Sequence, residues 1–205
     1  YALIEMLREL KPDAPIYMIP GDKDPLPASM SYATGGSPFA PWVLGAKQRG
    51  GQLLSAPVQI ERDGHTLWLT TSALLSLDMD TMQAQFERQY LDALADGDEN
   101  AIELTTYNLQ WLTETRNARA KMTDADVYIA LTHVPPADEE LESAYPGSLR
   151  ERVHLVLCGH YQGGLVRLPF VGALFIPSQN LPFYGILPGK DTYYGLTKKG
   201  GTYLY

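Results

Sequence analysis

Three short polar segments follow apolar runs in this chain, and each carries side chains able to bind a cation or an anion. They are Gly21-Asp22-Lys23-Asp24 after Ile16-Tyr17-Met18-Ile19, Thr132-His133 after Val127-Tyr128-Ile129-Ala130-Leu131, and Gly159-His160-Tyr161-Gln162-Gly163-Gly164 after Val153-His154-Leu155-Val156-Leu157-Cys158. Carboxylate and imidazole are the usual ligands of Zn, Mn or Fe ions. Asp22, His133 and His160 are therefore candidate metal ligands. The glycines let backbone approach an ion or a phosphate with no Cβ in the way. Each segment also has a plain structural explanation. Gly and Asp are favoured turn residues, so residues 21–24 can be a simple strand-to-loop turn. His133 can be a hydrogen-bonded histidine ahead of the Pro135-Pro136 loop, and Gly159-His160 another turn. His65 and His154 have structural explanations only, one beside a hairpin turn and one at a strand start. Cys158, inside an apolar strand, reads as a small core residue.

For these groups to meet, their strands must lie side by side, because ligands gather at the carboxyl ends of strands in open α/β sheets. The spacing of Leu3, Ile4, Leu7 and Leu10 predicts a helix over residues 1–10, broken at Lys11-Pro12-Asp13 before the first strand. Residues 25–41, with Pro25, Pro27, Gly35, Gly36, Pro38 and Pro41, predict a long irregular surface segment. Val58-Gln59-Ile60-Glu61-Arg62 and Thr66-Leu67-Trp68-Leu69-Thr70 alternate around Asp63-Gly64, the strongest hairpin signal present. From Asp80 to Met122 the apolar period becomes helical. Met82, Phe86, Tyr90 and Leu94, then Leu104, Leu109, Trp111 and Leu112, predict two helices broken at Gly97-Asp98 and packed outside the sheet layers. Asp138 to Tyr145 predicts a short acidic helix stopped by Pro146-Gly147, its acidic first turn favourable to the helix dipole. Beyond His160, short runs rich in Gly, Pro and Tyr predict strands and turns. Strands separated by helices indicate a layered α/β fold.

Length and composition bound what such a site can serve. At 205 residues the chain is close to one domain on a scale of roughly 150 residues each. That size buries an adequate core without disulfides or structural metals. Hydrophobic content of 45% with 20% charged residues is globular. A formal net charge of −8 argues against a non-specific nucleic-acid binder, which would show a basic footprint. The single Cys158 excludes a disulfide-stapled scaffold and leaves the compartment open. No apolar run reaches the length of about 18 residues that a membrane-spanning helix needs. Both ends read as cut. A helix is already in progress at Tyr1, and Gly201-Thr202-Tyr203-Leu204-Tyr205 stops inside strand character, so the chain is expected to be the interior of a longer protein.

In their order along nearly the whole chain, the three polar segments resemble motifs of the calcineurin-like metallophosphoesterases. The third motif of that family, a strand then Gly-Asn-His-Asp/Glu, is similar to Ile19-Pro20-Gly21-Asp22-Lys23-Asp24. The fourth, a lone His after a strand, is similar to His133 in Leu131-Thr132-His133-Val134-Pro135, and the fifth, Gly-His-x-His, to Gly159-His160-Tyr161-Gln162. Gly163-Gly164-Leu165-Val166-Arg167-Leu168-Pro169 resembles the Gly-Gly-Gln-x-Arg-x-Pro tail of one bacterial branch, often membrane-anchored. Residues 42–69, with Leu53-Leu54 before a strand and Trp68 in the next, resemble the stretch after the third motif.

The resemblance implies an α/β fold of the αββα kind, a β-sandwich flanked by helices. It implies one domain over residues 1–205, incomplete at both ends, with residues 80–122 as a helical insertion. It further implies a metal-dependent phosphoesterase that hydrolyses a phosphomonoester or phosphodiester, its substrate unknown. Asp22, His133 and His160 would be ligands of one divalent ion (Mn, Fe or Zn), and Gln162 would stand at a ligand position of a second. Lys23 and Asp24 would be the catalytic residues beside them, and Arg167 would lie near the phosphate. By the same resemblance, the protein would be membrane-anchored with an extracytoplasmic domain. The departures shift these expectations. Asp22 replaces the family's Asn, Lys23 its His, and Gln162 the second His of the fifth motif. The first two motifs, Asp-x-His and Gly-Asp, have no counterpart here and would lie upstream of Tyr1. One of two metal sites is therefore expected to be weak or lost, with Lys23 holding phosphate as a point charge. Two alternatives stay open: a degenerate binding or interaction module, and a pocket for an unrelated anion.

Overall fold

The computed structural model of the protein describes residues 1–32, 37–75, 77–136, 153–161, 164, 166–176, 185–186, 188 and 195–205. The chain forms two compact units, residues 1–59 with 77–123, and residues 60–76 with 124–205. It opens with α1 (Ala2–Leu10) and β1 (Ile16–Met18). Among its described residues, the proline-rich stretch that follows holds a 3-10 turn, Met30–Tyr32, and a bridge between Ala28 and Phe39. α2 (Pro41–Gln48) starts on a proline, whose missing N–H would have had no partner in the first helical turn. β2 (Gly51–Leu53) returns parallel to β1, with Ile16 opposite Gly51 and Met18 opposite Leu53. Arg8 ties these pieces together, donating to the carbonyls of Pro12, Ala14 and Gly50 at 2.6, 3.1 and 2.7 Å.

β3 (Val58–Arg62) and β4 (His65–Thr71) are joined by Asp63-Gly64, both at positive φ (52° and 79°), the conformation a two-residue hairpin turn requires. A single turn, α3 (Ser72–Leu75), follows. α4 (Met79–Asp96) and α5 (Glu99–Lys121) then form the helical hairpin that the change of period predicts. Its break falls at Gly97-Asp98: Gly97 closes α4, and the Asp98 carboxylate accepts the Ala101 N–H at 3.0 Å to open α5. The hairpin belongs to the first unit because its aromatic side chains are anchored there. The Trp111 indole N–H donates to the Ser55 carbonyl, and the Tyr107 ring meets Phe39 edge-on at 4.9 Å.

In the second unit, β5 (Val127–Thr132), β6 (Leu155–Cys158), β7 (Val166–Leu168), β8 (Gly172–Ile176), β9 (Gly185–Ile186), β10 (Thr197–Lys199) and β11 (Thr202–Leu204) complete the chain. Six strands make one mixed sheet in the order β10-β11-β6-β5-β4-β3. Its central pairs, β4 with β5, β5 with β6 and β6 with β11, are parallel, whereas β10 and β11 are antiparallel. Val127–Leu131 and Leu155–Cys158 are continuously apolar, as central parallel strands tend to be, with Tyr128, Ala130 and Val156 buried and Val127 exposed. Trp68, Tyr128, Ala130, Val156 and Leu204 are buried there, and the Trp68 indole donates to Asp126 at 3.0 Å. A smaller antiparallel sheet has the order β7-β8-β9. The protein is thus mixed α/β, with a six-stranded mixed sheet. No helix among the described residues is long and apolar enough to cross a membrane.

Two local differences separate sequence and structure. α2 and α3 are helical where the sequence signals no helix, since one contains Gly45 and the other is a single turn. β6 begins at Leu155, leaving Val153 and His154 outside the strand. The expected acidic helix of residues 138–145 lies outside the described residues.

Candidate metal centre

The register of β5 and β6 sets the site. Thr132 stands opposite Cys158 at the carboxyl ends of two adjacent parallel strands, so the next residues, His133 and Gly159, leave the sheet side by side. The Gly159 N–H donates to the carbonyls of both Thr132 (3.3 Å) and His133 (3.0 Å), which holds the two exits together. Thr132 fixes the other side of its histidine, donating its hydroxyl to the Val134 carbonyl at 2.8 Å. Sequence reasoning passed over Thr132. The signal was a Thr immediately before the His, since a Thr hydroxyl can close a short turn on nearby backbone.

His160 is held in the left-handed region at φ 64°, which few non-glycine residues adopt, although His is among those that tolerate it better. The turn around it is closed by Tyr161 N–H donating to Gly159 and Gly164 N–H donating to Tyr161, both at 2.8 Å. This conformation aims the His160 ring at His133. The rings meet nearly perpendicular, at 82° and 5.2 Å between centroids, with His160 Nδ1 3.3 Å from His133 Nε2. His160 Nε2 is shut off from solvent.

Two ligand atoms on a tetrahedral ion with bonds of about 2.0–2.1 Å lie about 3.3 Å apart. The His133–His160 nitrogen separation of 3.3 Å matches that bite, so the pair fits one ion held by two imidazoles. In the metal-free protein the same separation serves a single N–H···N bond, its donor set by the tautomers.

Asp22, Lys23 and Asp24 belong to the first unit, in the loop leaving β1. Asp24 closes that loop: its carboxylate accepts the Gly21 N–H at 2.7 Å, and its own N–H donates to the Gly21 carbonyl at 3.4 Å. Asp22 Oδ2 lies 3.9 Å from Lys23 Nζ, with side-chain exposures of 33% and 93% respectively. So open a pair contributes little to stability. Arg167 sits on the exposed β7, opposite Ala173 of β8. Gln162 lies outside the described residues. Cys158 packs against the core of Ala130, Val153, Val156 and Leu204, and burial pushes its thiol up to about 12, far from a thiolate at neutral pH. His154 is structural as expected, its Nδ1 accepting the Tyr128 N–H at 3.2 Å.

No protein-family model, curated protein or solved structure matches this chain.

Proposed function

We propose that the protein is a metal-dependent phosphoesterase, hydrolysing a phosphomonoester or phosphodiester, with an αββα metallophosphoesterase-like fold and helices α4 and α5 as its insertion. The observation that carries it is the His133–His160 pair, two imidazole nitrogens 3.3 Å apart at the ends of adjacent parallel strands. Asp22 is the third ligand of the same divalent ion in this reading, on the strength of its place in the third motif. A bound divalent ion supplies a water nucleophile at neutral pH and stabilises the oxygens of the displacement. The chain's own groups do the rest. Lys23, whose ammonium is open to solvent, holds the substrate phosphate as a point charge, and Arg167 adds a forked donor set for phosphate oxygens. Asp24 keeps the Asp22-Lys23 turn closed through Gly21, and so acts by positioning.

A second reading, a degenerate member that binds without hydrolysing, is favoured by one particular feature. Lys23 lies 3.9 Å from the Asp22 carboxylate, where an ammonium repels the cation that Asp22 would bind. Metal analysis of the protein, joined to assays on an aryl phosphomonoester and an aryl phosphodiester, tests both readings. Bound Zn, Mn or Fe with hydrolysis that falls at least about tenfold in His133→Ala and His160→Ala supports the enzyme. Metal bound without turnover supports the binding module. No metal at all, in the presence of excess Zn and Mn, removes the enzyme and leaves the binding module, which the Lys23 ammonium beside Asp22 favours.

A further inference from the structure

The turn carrying His160 is tied to β5 through Gly159, and on its other side it rests on β8. Gly164, the last residue of the turn, has φ 97°, and a Cβ built there would lie 2.3 Å from the Cβ of Ala173. Neither atom belongs to a flexible side chain, so a Cβ at that point forces backbone to move. Ala173 is itself buried on β8, in a small cluster with Ile176 against which Tyr161 packs. Tyr161 follows His160 directly, and its carbonyl accepts the Gly164 N–H at 2.8 Å. Two described residues, Tyr161 and Gly164, thus link β8 to His160.

From this we infer that Ala173 is a positioning residue for His160. The bare-backbone contact of Gly164 on the Ala173 methyl sets the height of the turn, and with it the aim of the His160 ring at His133. The inference rests on the reading of that pair as a metal centre, yet it makes a separate claim about geometry. The claim is that one methyl on a strand outside the six-stranded sheet controls the distance between two imidazoles.

A size exchange tests it on the whole chain. Gly164→Ala places a methyl into the contact, and the double variant Gly164→Ala/Ala173→Gly removes the opposing one. Both carry the same backbone strain at residue 164, so their difference isolates the contact. Two readouts are taken: zinc affinity by titration, and the ring-nitrogen NMR signals of 15N-labelled histidine in metal-free protein. His154, whose Nδ1 accepts from Tyr128, reports whether the fold is intact. The expected result is a zinc affinity about tenfold weaker in Gly164→Ala, with altered His133 and His160 signals and unchanged His154, and recovery of both in the double variant. If Gly164→Ala does not fold, Ala173→Val enlarges the same contact from β8 without strain at residue 164 and is expected to give the same loss. Unchanged histidine signals in the enlarged variant, or a double variant that recovers nothing, overturns the inference. A wild-type protein that binds no zinc defeats the metal reading alone, because the metal-free signals still decide whether Ala173 sets the pair.

Discussion

Cys158 and His160 are two residues apart, yet the structure turns them towards different neighbours. Cys158 faces the core, and burial raises its thiol from 9.0 to about 12, whereas His160 has left the strand and turned towards His133. The native thiol is therefore expected to resist a disulfide reagent at pH 8 and to react in full once urea unfolds the chain. Fast labelling of the native protein would contradict the burial. Linkage gives the pH dependence its sign. The folded pKa is the higher one, so this contribution to stability is complete below pH 9 and is lost as pH rises from 9 towards 12. The core role of Cys158 was readable from its apolar neighbours, and the exits of His133 and His160 from the strands that precede them. The meeting of the two rings was expected only through the resemblance, which makes them ligands of one ion, and not from residue type. It depends on the register of Thr132 with Cys158 and on a left-handed His160, and neither leaves a mark in residue type. The Asp24 bond to Gly21 was hidden similarly, because an Asp two residues after an Asp looks alike whether it closes a turn or serves a reaction.

Among the elements, the long helices are those the sequence describes best, since α4 and α5 carry both period and punctuation. Asp78 and Asp98 each accept an N–H three residues on, at Thr81 and Ala101, as N-caps should. Asp98→Ala is expected to destabilise the protein by about 1 kcal/mol in urea denaturation, with Asn recovering most of the loss. No change on Asp98→Ala would show that packing of the hairpin alone holds the first turn of α5. The Asp78 carboxyl is held below its ordinary 3.8 by the Thr81 hydroxyl first and the Thr81 N–H second. Its contribution is thus present above pH 3.8 and fades as acid takes the pH below that value. A Thr81→Ala variant should lose less stability on acidification than the parent. α2 escaped notice for a physical reason. It has no side-chain cap, and it contains Gly45, so beyond the opening Pro41 it is held as helix by tertiary packing through the buried Val43 and Ala46. Packing of that kind is invisible in a local window.

At the scale of the molecule, the chain gathers into two compact units whose boundaries cut through β3 and fall beside α3 and α5. Such a division follows from where Trp111, Tyr107 and Trp68 find partners, information that length and charge do not hold. Whole-molecule metal stoichiometry is also where the family resemblance is most exposed to test. If the protein follows the family plan, Gln162 stands at a ligand position of a second ion, and an amide oxygen is a poor substitute for imidazole towards Zn, Mn or Fe. The protein with the expected upstream Asp-x-His and Gly-Asp motifs should then hold about one zinc per chain, where an intact two-metal site holds two. Gln162→His restores the imidazole and should raise that stoichiometry towards two, with a matching rise in phosphodiester hydrolysis. His133→Ala in the same background should remove the original ion while sparing the restored one, because the two ions draw on different imidazoles. A Gln162→His protein that gains no zinc, although those upstream motifs are present, would separate residue 162 from the metal centre and leave His133 and His160 as its only imidazole pair.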